Sequence, residues 1–146
     1  MANSSSISSP KLTNRTEVKI RFSEVDSLKI VWHGNYVKYL EDGRENFGSQ
    51  YNIEYLTMFS NGYTAPVIDM KLQFKQSVSV ADTIIVETTY RPTRAAKLIF
   101  DYTIYNKADM SVVLTAETTQ VFVSLDGELQ LYNPEFFQKW KERWGY

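Results

Sequence analysis

Asp26 and His33 are the two side chains whose types and spacing in this sequence fit a catalytic role. A carboxylate can attack an acyl carbon as a nucleophile, or it can act as a general base that activates water. Taken alone, an Asp near a strand is usually a turn residue or a helix cap, and a single His usually has a structural role. The two residues therefore predict acyl chemistry only together with their surroundings.

A strand and a helix are the elements expected to position these residues. Apolar and polar residues alternate over 18–23, which predicts a strand with one buried face just before Asp26. After the connector 28–32, apolar residues recur at helical spacing over 36–51, with Gly43 in the same stripe. A glycine there destabilises a helix by about 1 kcal/mol relative to Ala. We interpret Gly43 as a point where another backbone approaches the helix closely.

The rest of the chain is rich in β-forming residues. Four such segments follow the long helix without helices between them, at 68–75, 83–90, 97–106 and 110–124. This order excludes a doubly wound parallel sheet and predicts an antiparallel α+β fold, with a curved sheet wrapped around the long central helix. A final helix is predicted with Asn133 as its N-cap and Pro134 at its first position.

Composition limits the classes of function. The chain has 146 residues, of which 43% are hydrophobic, so one domain with a real core is expected. We predict a disordered tail over 1–14, a single folded domain over 15–146 and a cytoplasmic location, because no secretory signal is evident. No apolar run approaches the roughly 20 residues of a membrane span. With no Cys, one His and a net charge of −1, neither a metal site nor nucleic-acid binding is expected.

A motif over about twenty residues carries a family resemblance. Its members are Asp26, Ile30, Val31, Trp32, His33, Asn35, Tyr36, Tyr39 and Arg44. They resemble the signature of the 4-hydroxybenzoyl-CoA thioesterase-like family of hotdog-fold acyl-CoA thioesterases, although Lys29 stands where that pattern has Gly. The resemblance implies a hotdog fold and hydrolysis of an acyl-CoA to a free acid and CoA. It implies no cofactor beyond the coenzyme A of the substrate.

The resemblance also assigns roles to residues. Asp26 becomes the nucleophile or the general base, and both remain open. A helix start has free N–H groups that can bind an oxyanion. The family holds the thioester carbonyl at the amide that corresponds to His33, while the His33 ring would orient Asp26 or water. We assign four neighbours to the substrate pocket: Val31, Trp32, Gly34 and Tyr36. Gly34 lets the backbone come close to a ligand.

Three basic residues are candidates for contact with the phosphates of CoA: Arg91, Arg94 and Lys97. On the helix, Glu41 and Arg44 are expected to form an ion pair, because residues three apart share a face. Family resemblance implies a homodimer or homotetramer with active sites at the subunit boundary. Alternatives are hydrolysis of a thioester on acyl-carrier protein and a non-catalytic module that binds acyl or aromatic ligands. A hotdog dehydratase motif is not found.

Overall fold

The computed structural model describes residues 11–146. The predicted tail lies mostly outside the described residues, but its last four positions are described, and two of them, Thr13 and Asn14, belong to the first strand, where they pair with Thr89 and Thr88. The ordered domain therefore begins before residue 15. Leu12 is buried in the core beside this strand, which explains why the chain is held there.

Seven strands and three α-helices make up the described chain. The strands are β1 (Thr13–Lys19), β2 (Tyr63–Thr64), β3 (Val67–Phe74), β4 (Thr83–Arg91), β5 (Lys97–Asn106), β6 (Val112–Val121) and β7 (Val123–Ser124). The helices are α1 (Tyr36–Tyr51), α2 (Tyr55–Ser60) and α3 (Glu135–Arg143). None of the helices in this part of the chain is long and apolar enough to cross a membrane.

Five strands form one antiparallel sheet in the order β1-β4-β5-β6-β3, and β2 pairs separately with β7. Every neighbouring pair in the large sheet is antiparallel. One face of β4 and β5 is almost fully buried, because alternate residues along each strand point towards the helix layer. These observations confirm the predicted antiparallel α+β architecture.

Helix α1 packs on the sheet through the face that contains Gly43. A Cβ atom at Gly43 would lie 2.4 Å from Thr88 Oγ1 and 2.9 Å from Val86 Cγ1, so any larger residue would require these two side chains to move. The close approach predicted at this position is therefore confirmed, but its partners are side chains of β4 rather than a second backbone. This contact sets the height of α1 above the sheet.

Helix α3 closes the end of the domain where α1 finishes. Its Trp140 and Trp144 indoles both donate hydrogen bonds to the Tyr51 carbonyl, at 2.8 and 3.1 Å. The predicted start of this helix is displaced by one residue, because Pro134 is the N-cap and Glu135 is the first helical residue. Asn133 does not cap the helix, since its Nδ2 instead approaches the Arg94 carbonyl at 3.4 Å.

Candidate active site

The segment between β1 and α1 is a folded connector rather than an extension of the strand. β1 ends at Lys19, and residues Phe22–Glu24 form a 3-10 turn in which Phe22 is 82% exposed. The turn forms because the Glu24 carboxylate accepts a hydrogen bond from the Arg21 amide at 2.8 Å. The prediction that the strand continues to residue 23 is therefore wrong, and Asp26 follows a turn, not a strand end.

Asp26 opens a tight three-residue loop. Its carbonyl accepts from the Lys29 amide at 2.9 Å, and its own amide donates to the Ile30 carbonyl at 2.8 Å. Lys29 has a φ of 65°, the left-handed conformation that closes such a loop. Glycine is the residue that adopts this conformation without steric strain. The Gly of the family pattern therefore has a conformational reason, and Lys29 keeps the same turn at a steric penalty.

The Asp26 carboxylate is half-buried and only partly engaged. Its Oδ1 accepts a hydrogen bond from the Leu28 amide at 2.8 Å. Within residues 11–146, its other oxygen has no hydrogen-bond or ion-pair partner. One oxygen thus stabilises the loop, while the second is unpaired within the described residues.

The helix start presents two unpaired amides. A 3-10 turn over His33–Asn35 leads directly into α1, and the Asn35 amide donates to the Trp32 carbonyl at 2.9 Å. In the described part of the chain, the amides of His33 and Gly34 have no acceptor. Free N–H groups at a helix N-terminus are suitable donors for a developing oxyanion.

Glu24 joins the Asp26 loop to the helix start through its backbone carbonyl. That oxygen accepts from the Trp32 amide at 3.0 Å and from Asn35 Nδ2 at 2.8 Å. Asn35 is buried, so this side chain is held in one orientation. Sequence reasoning placed Asn35 in the motif without giving it a role. Its partner is a main-chain oxygen eleven positions away, which no side-chain pattern indicates.

The predicted pocket residues divide into exposed and buried sets. Trp32 is half-exposed, and its indole lies over Gly34, where an added Cβ would be 2.2 Å from the ring. The Trp32 and His33 rings are 5.1 Å apart. Val31 and Tyr36 are instead buried in the core. These two side chains support the site from the core and have little exposed surface for contact with a substrate.

Carboxylates crowd the polar side of the helix start. Burial raises the pKa of the Tyr39 hydroxyl, and the neighbouring Glu24 carboxylate raises it further. The pKa of Asp42 is also raised, first by partial burial and then by the negative charges of Glu45, Glu24 and Glu41. This region is therefore an acidic flank of the site.

The three basic candidates lie far from Asp26 within one chain. The Asp26 connector meets the sheet at Ser79, before β4 begins, whereas Arg91 is the last residue of β4. Nine extended residues span roughly 26 Å. Arg91 is also paired with Asp101 and, at 3.5 Å, with Glu117. Arg94 and Lys97 are exposed at the same end of the sheet.

Arg44 does not form the predicted pair with Glu41. Its Nη1 donates to the Tyr102 hydroxyl at 3.2 Å, and none of the ion pairs among the described residues includes it. The reason is the direction of the side chain, since Arg44 lies between the helix and the sheet and is only partly exposed. Its partner comes from β5, which is distant in sequence.

Comparisons with known proteins agree with this fold. The chain is 28% identical over 126 residues to YneP of Bacillus subtilis, which is named as a candidate acyl-CoA thioesterase. The matched region covers 86% of this chain and 88% of YneP. It is 23% identical over 110 residues to the chloroplastic acyl-acyl carrier protein thioesterase ATL3 of Arabidopsis thaliana, covering 75% of this chain and 58% of that protein.

A solved structure, a DHNA-CoA thioesterase from Staphylococcus aureus, superposes with a TM-score of 0.78 at 23% identity and 90% coverage of both chains. This likeness identifies the fold as the hotdog fold expected from the motif. The model of the Thioesterase-like superfamily matches residues 20–141, which include the connector, α1 and the whole of the large sheet except β1. The chain belongs to the Thioesterase-like superfamily.

Proposed function

We propose that this chain is an acyl-CoA thioesterase that hydrolyses an acyl-CoA to a free acid and CoA. One observation carries the proposal: Asp26 has a free carboxylate oxygen, and Glu24 ties its loop to the free amides of His33 and Gly34. A nucleophile or base beside oxyanion donors is the arrangement that acyl transfer requires. Its relative YneP is named for the same activity.

In the first step the thioester carbonyl oxygen accepts a hydrogen bond from the His33 amide. Along one route, the free Asp26 oxygen attacks the carbonyl carbon, the carbon–sulfur bond breaks, and CoA leaves as a thiolate. Water then hydrolyses the mixed anhydride and restores Asp26. Along the other route, Asp26 takes a proton from water, and the hydroxide formed attacks the same carbon. The carbon–sulfur bond then breaks, and the departing CoA thiolate takes the proton from Asp26, which restores the carboxylate. Both routes use only protein groups and water, so the proposal requires no cofactor.

Assembly is part of the proposal, because one chain does not bring the basic residues near Asp26. β3 lies at the edge of the sheet, and its Ile68 and Phe74 side chains are more than half exposed. An unpaired edge favours pairing with another strand, and a two-fold partner closes both copies at once. A homodimer, or a homotetramer of such dimers, would allow Arg94 and Lys97 of one subunit to serve the other subunit's site. We propose a cytoplasmic location for this assembly.

The thiol carrier is the main alternative within the family. ATL3 is named for acyl-carrier protein, and the chain spans 58% of its length. The rate of free thiol release distinguishes the two activities when the same acyl group is presented on CoA and on acyl-carrier protein. We expect turnover of acyl-CoA, with Asp26→Asn as the blank. Tight binding of acyl-CoA without thiol release from either carrier would instead identify a non-catalytic binding protein.

A further inference from the structure

A cavity of about 330 Å³ lies beside the second half of α1. Its wall combines residues after α1 with strand β5, and four of its apolar side chains are nearly fully buried: Ile53, Met58, Leu98 and Phe100. The volume is at the lower end of the range found for small-molecule pockets. No lining residue comes from the segment 20–36 of the described chain, so the cavity is distinct from the Asp26 and His33 site.

Arg44 places a cation on the wall of this cavity. Its Nη1 donates to the Tyr102 hydroxyl at 3.2 Å, but its Nε is buried and has no acceptor in the described part of the chain. Arginine keeps its charge at all physiological pH values. A partly buried guanidinium with no carboxylate in ion-pair contact is less favourable unless a ligand or water supplies the missing acceptor.

Neighbouring polar groups hold Arg44 in place without neutralising it. The Tyr102 hydroxyl is buried and also hydrogen-bonds Thr118 Oγ1 at 2.7 Å. Gln120 donates through Nε2 to the Ala65 carbonyl at 2.7 Å, which leaves its Oε1 without a donor. Gln120 Oε1 can accept from a hydroxyl or a water, but it brings no negative charge to Arg44.

Two carboxylates on the cavity wall do not change this conclusion. Glu45 and Glu54 are both exposed, and Glu54 is engaged by Ser49 Oγ at 3.3 Å. Charges in contact with water are screened more strongly than buried ones. A ligand group that reaches the apolar part of the cavity therefore meets the guanidinium as the dominant charge.

We propose that this cavity binds the carboxylate of a small apolar acid, with the carboxylate on Arg44 and the hydrocarbon body against Leu98 and Phe100. Two sources share this chemistry. One is the distal carboxylate of an acyl group whose thioester is held at Asp26, and this source rests on the proposed function. The other is a free monocarboxylic acid, which does not depend on turnover.

Binding of three six-carbon probes tests the proposal: hexanoate, hexan-1-ol and hexylamine, measured by titration calorimetry or NMR on the full chain. Hexanoate is expected to bind most tightly and hexylamine most weakly. Arg44→Met should weaken hexanoate binding by about tenfold or more, because it removes the charge-assisted hydrogen bonds. Arg143→Met, at an exposed arginine on α3, is the matched control and should leave binding unchanged.

A second variant covers the case in which Arg44→Met does not fold. Leu56 lines the cavity and is 80% exposed, so Leu56→Glu should be tolerated. It adds a negative charge beside the cavity and is expected to weaken hexanoate binding while leaving hexan-1-ol binding much less affected. The proposal is overturned if wild-type protein binds hexylamine as well as hexanoate, or if folded Arg44→Met binds hexanoate as tightly as wild type.

Steady-state kinetics distinguish the two sources of the carboxylate, the distal end of a bound acyl group and a free acid. The test compares kcat/KM for a twelve-carbon acyl-CoA with and without a terminal carboxylate, because Tyr36 at the start of α1 and Arg44 are eight residues apart, about 12 Å along the helix. A preference for the carboxylate-bearing substrate that disappears in Arg44→Met identifies the distal carboxylate. An unchanged ratio, together with loss of hexanoate binding, identifies the free acid. Absence of turnover with every acyl-CoA would overturn the proposed function alone, because probe binding is measured without turnover.

Discussion

Asn35 donates a hydrogen bond through Nδ2 to the backbone carbonyl of Glu24 at 2.8 Å, and this contact fixes the start of α1 against the loop that carries Asp26. The Trp32 amide shares the same acceptor at 3.0 Å. Two donors on this one carbonyl join the loop that carries Asp26 to the start of α1. The position of the Asp26 carboxylate relative to the His33 amide therefore depends on Asn35.

Asn35→Ala should lower kcat more than it raises KM. Removal of the side chain leaves the His33 amide free to move relative to Asp26, and a displacement of about 1 Å can lower a rate by roughly 100-fold. Loss of the buried hydrogen bond should also destabilise the fold by about 1–2 kcal/mol. Steady-state kinetics and denaturant unfolding measure both effects.

The control for this change is Asn46→Ala, because Asn46 also lies on α1 and also donates a hydrogen bond, to Thr16 Oγ1 at 3.0 Å, but at an exposed position. It should leave kcat unchanged. Equal activity of Asn35→Ala and Asn46→Ala would show that the Glu24 contact does not position the site.

Lys29→Gly should stabilise the protein. Lys29 adopts a φ of 65°, and a side chain in the left-handed region is unfavourable by about 1–2 kcal/mol. Glycine relieves this strain but loses more backbone entropy on folding, so a net gain of about 0.5–1 kcal/mol is expected. Chemical denaturation measures the difference. Met110→Gly, at a φ of 58° in a distant turn, is a matched change that should stabilise similarly. Destabilisation by Lys29→Gly would contradict the strained turn.

Gly43→Ala should destabilise the protein although Ala favours helices by about 1 kcal/mol. The added methyl would lie 2.4 Å from Thr88 Oγ1 and 2.9 Å from Val86 Cγ1. Overpacking of this kind usually destabilises by about 1–3 kcal/mol. Combining Gly43→Ala with Thr88→Ala should recover part of the loss, because the nearer contact is removed. A double variant with strictly additive effects would exclude a contact between these two positions.

Asp42→Asn should change how stability depends on pH. The pKa of Asp42 in the folded state lies above its ordinary value of 3.8, through partial burial and the charges of Glu45, Glu24 and Glu41. The folded state therefore holds this proton more tightly than the unfolded state. The contribution of Asp42 to the free energy of unfolding falls as pH rises from below 3.8 through its folded pKa. Asp42→Asn removes that decline. The free energy of unfolding, measured from pH 3 to pH 7, should be similar for the variant and wild type near pH 3. Near pH 7 the variant should have the higher free energy of unfolding. A variant that is less stable than wild type at pH 7 would contradict the unfavourable effect of the neighbouring carboxylates on Asp42.

Local patterns in the sequence predicted the order of elements, the long helix with its close contact at Gly43, and the family to which the chain belongs. These features depend on periodicity and on motif residues that lie near one another in sequence. The partner of Arg44 could not be predicted in the same way, because Tyr102 is brought to it by the pairing of β5 within the sheet. The exposed position of Phe22 has a local origin instead, because the Glu24 carboxylate accepts a hydrogen bond from the Arg21 amide and ends the extended segment.

The assignment of Asp26 combines a prediction with a structural detail that sequence alone does not provide. The motif indicates the residue and leaves its chemical role open. The hydrogen bond from the Leu28 amide to Oδ1 shows that one oxygen also stabilises the loop. A variant that removes the carboxylate entirely would therefore disturb the turn as well as the chemistry. Asn keeps the Oδ1 acceptor and removes the charge, so it separates the two effects.

The rate of thiol release by Asp26→Asn, compared with His33→Ala, tests the central claim most directly. Asp26→Asn should lower kcat by about 10³-fold or more, with acyl-CoA affinity and unfolding free energy close to wild type, because only the reacting charge is lost. His33→Ala should retain measurable activity, since its backbone amide remains in place. Retention of most of the wild-type kcat by a folded Asp26→Asn variant would contradict the account.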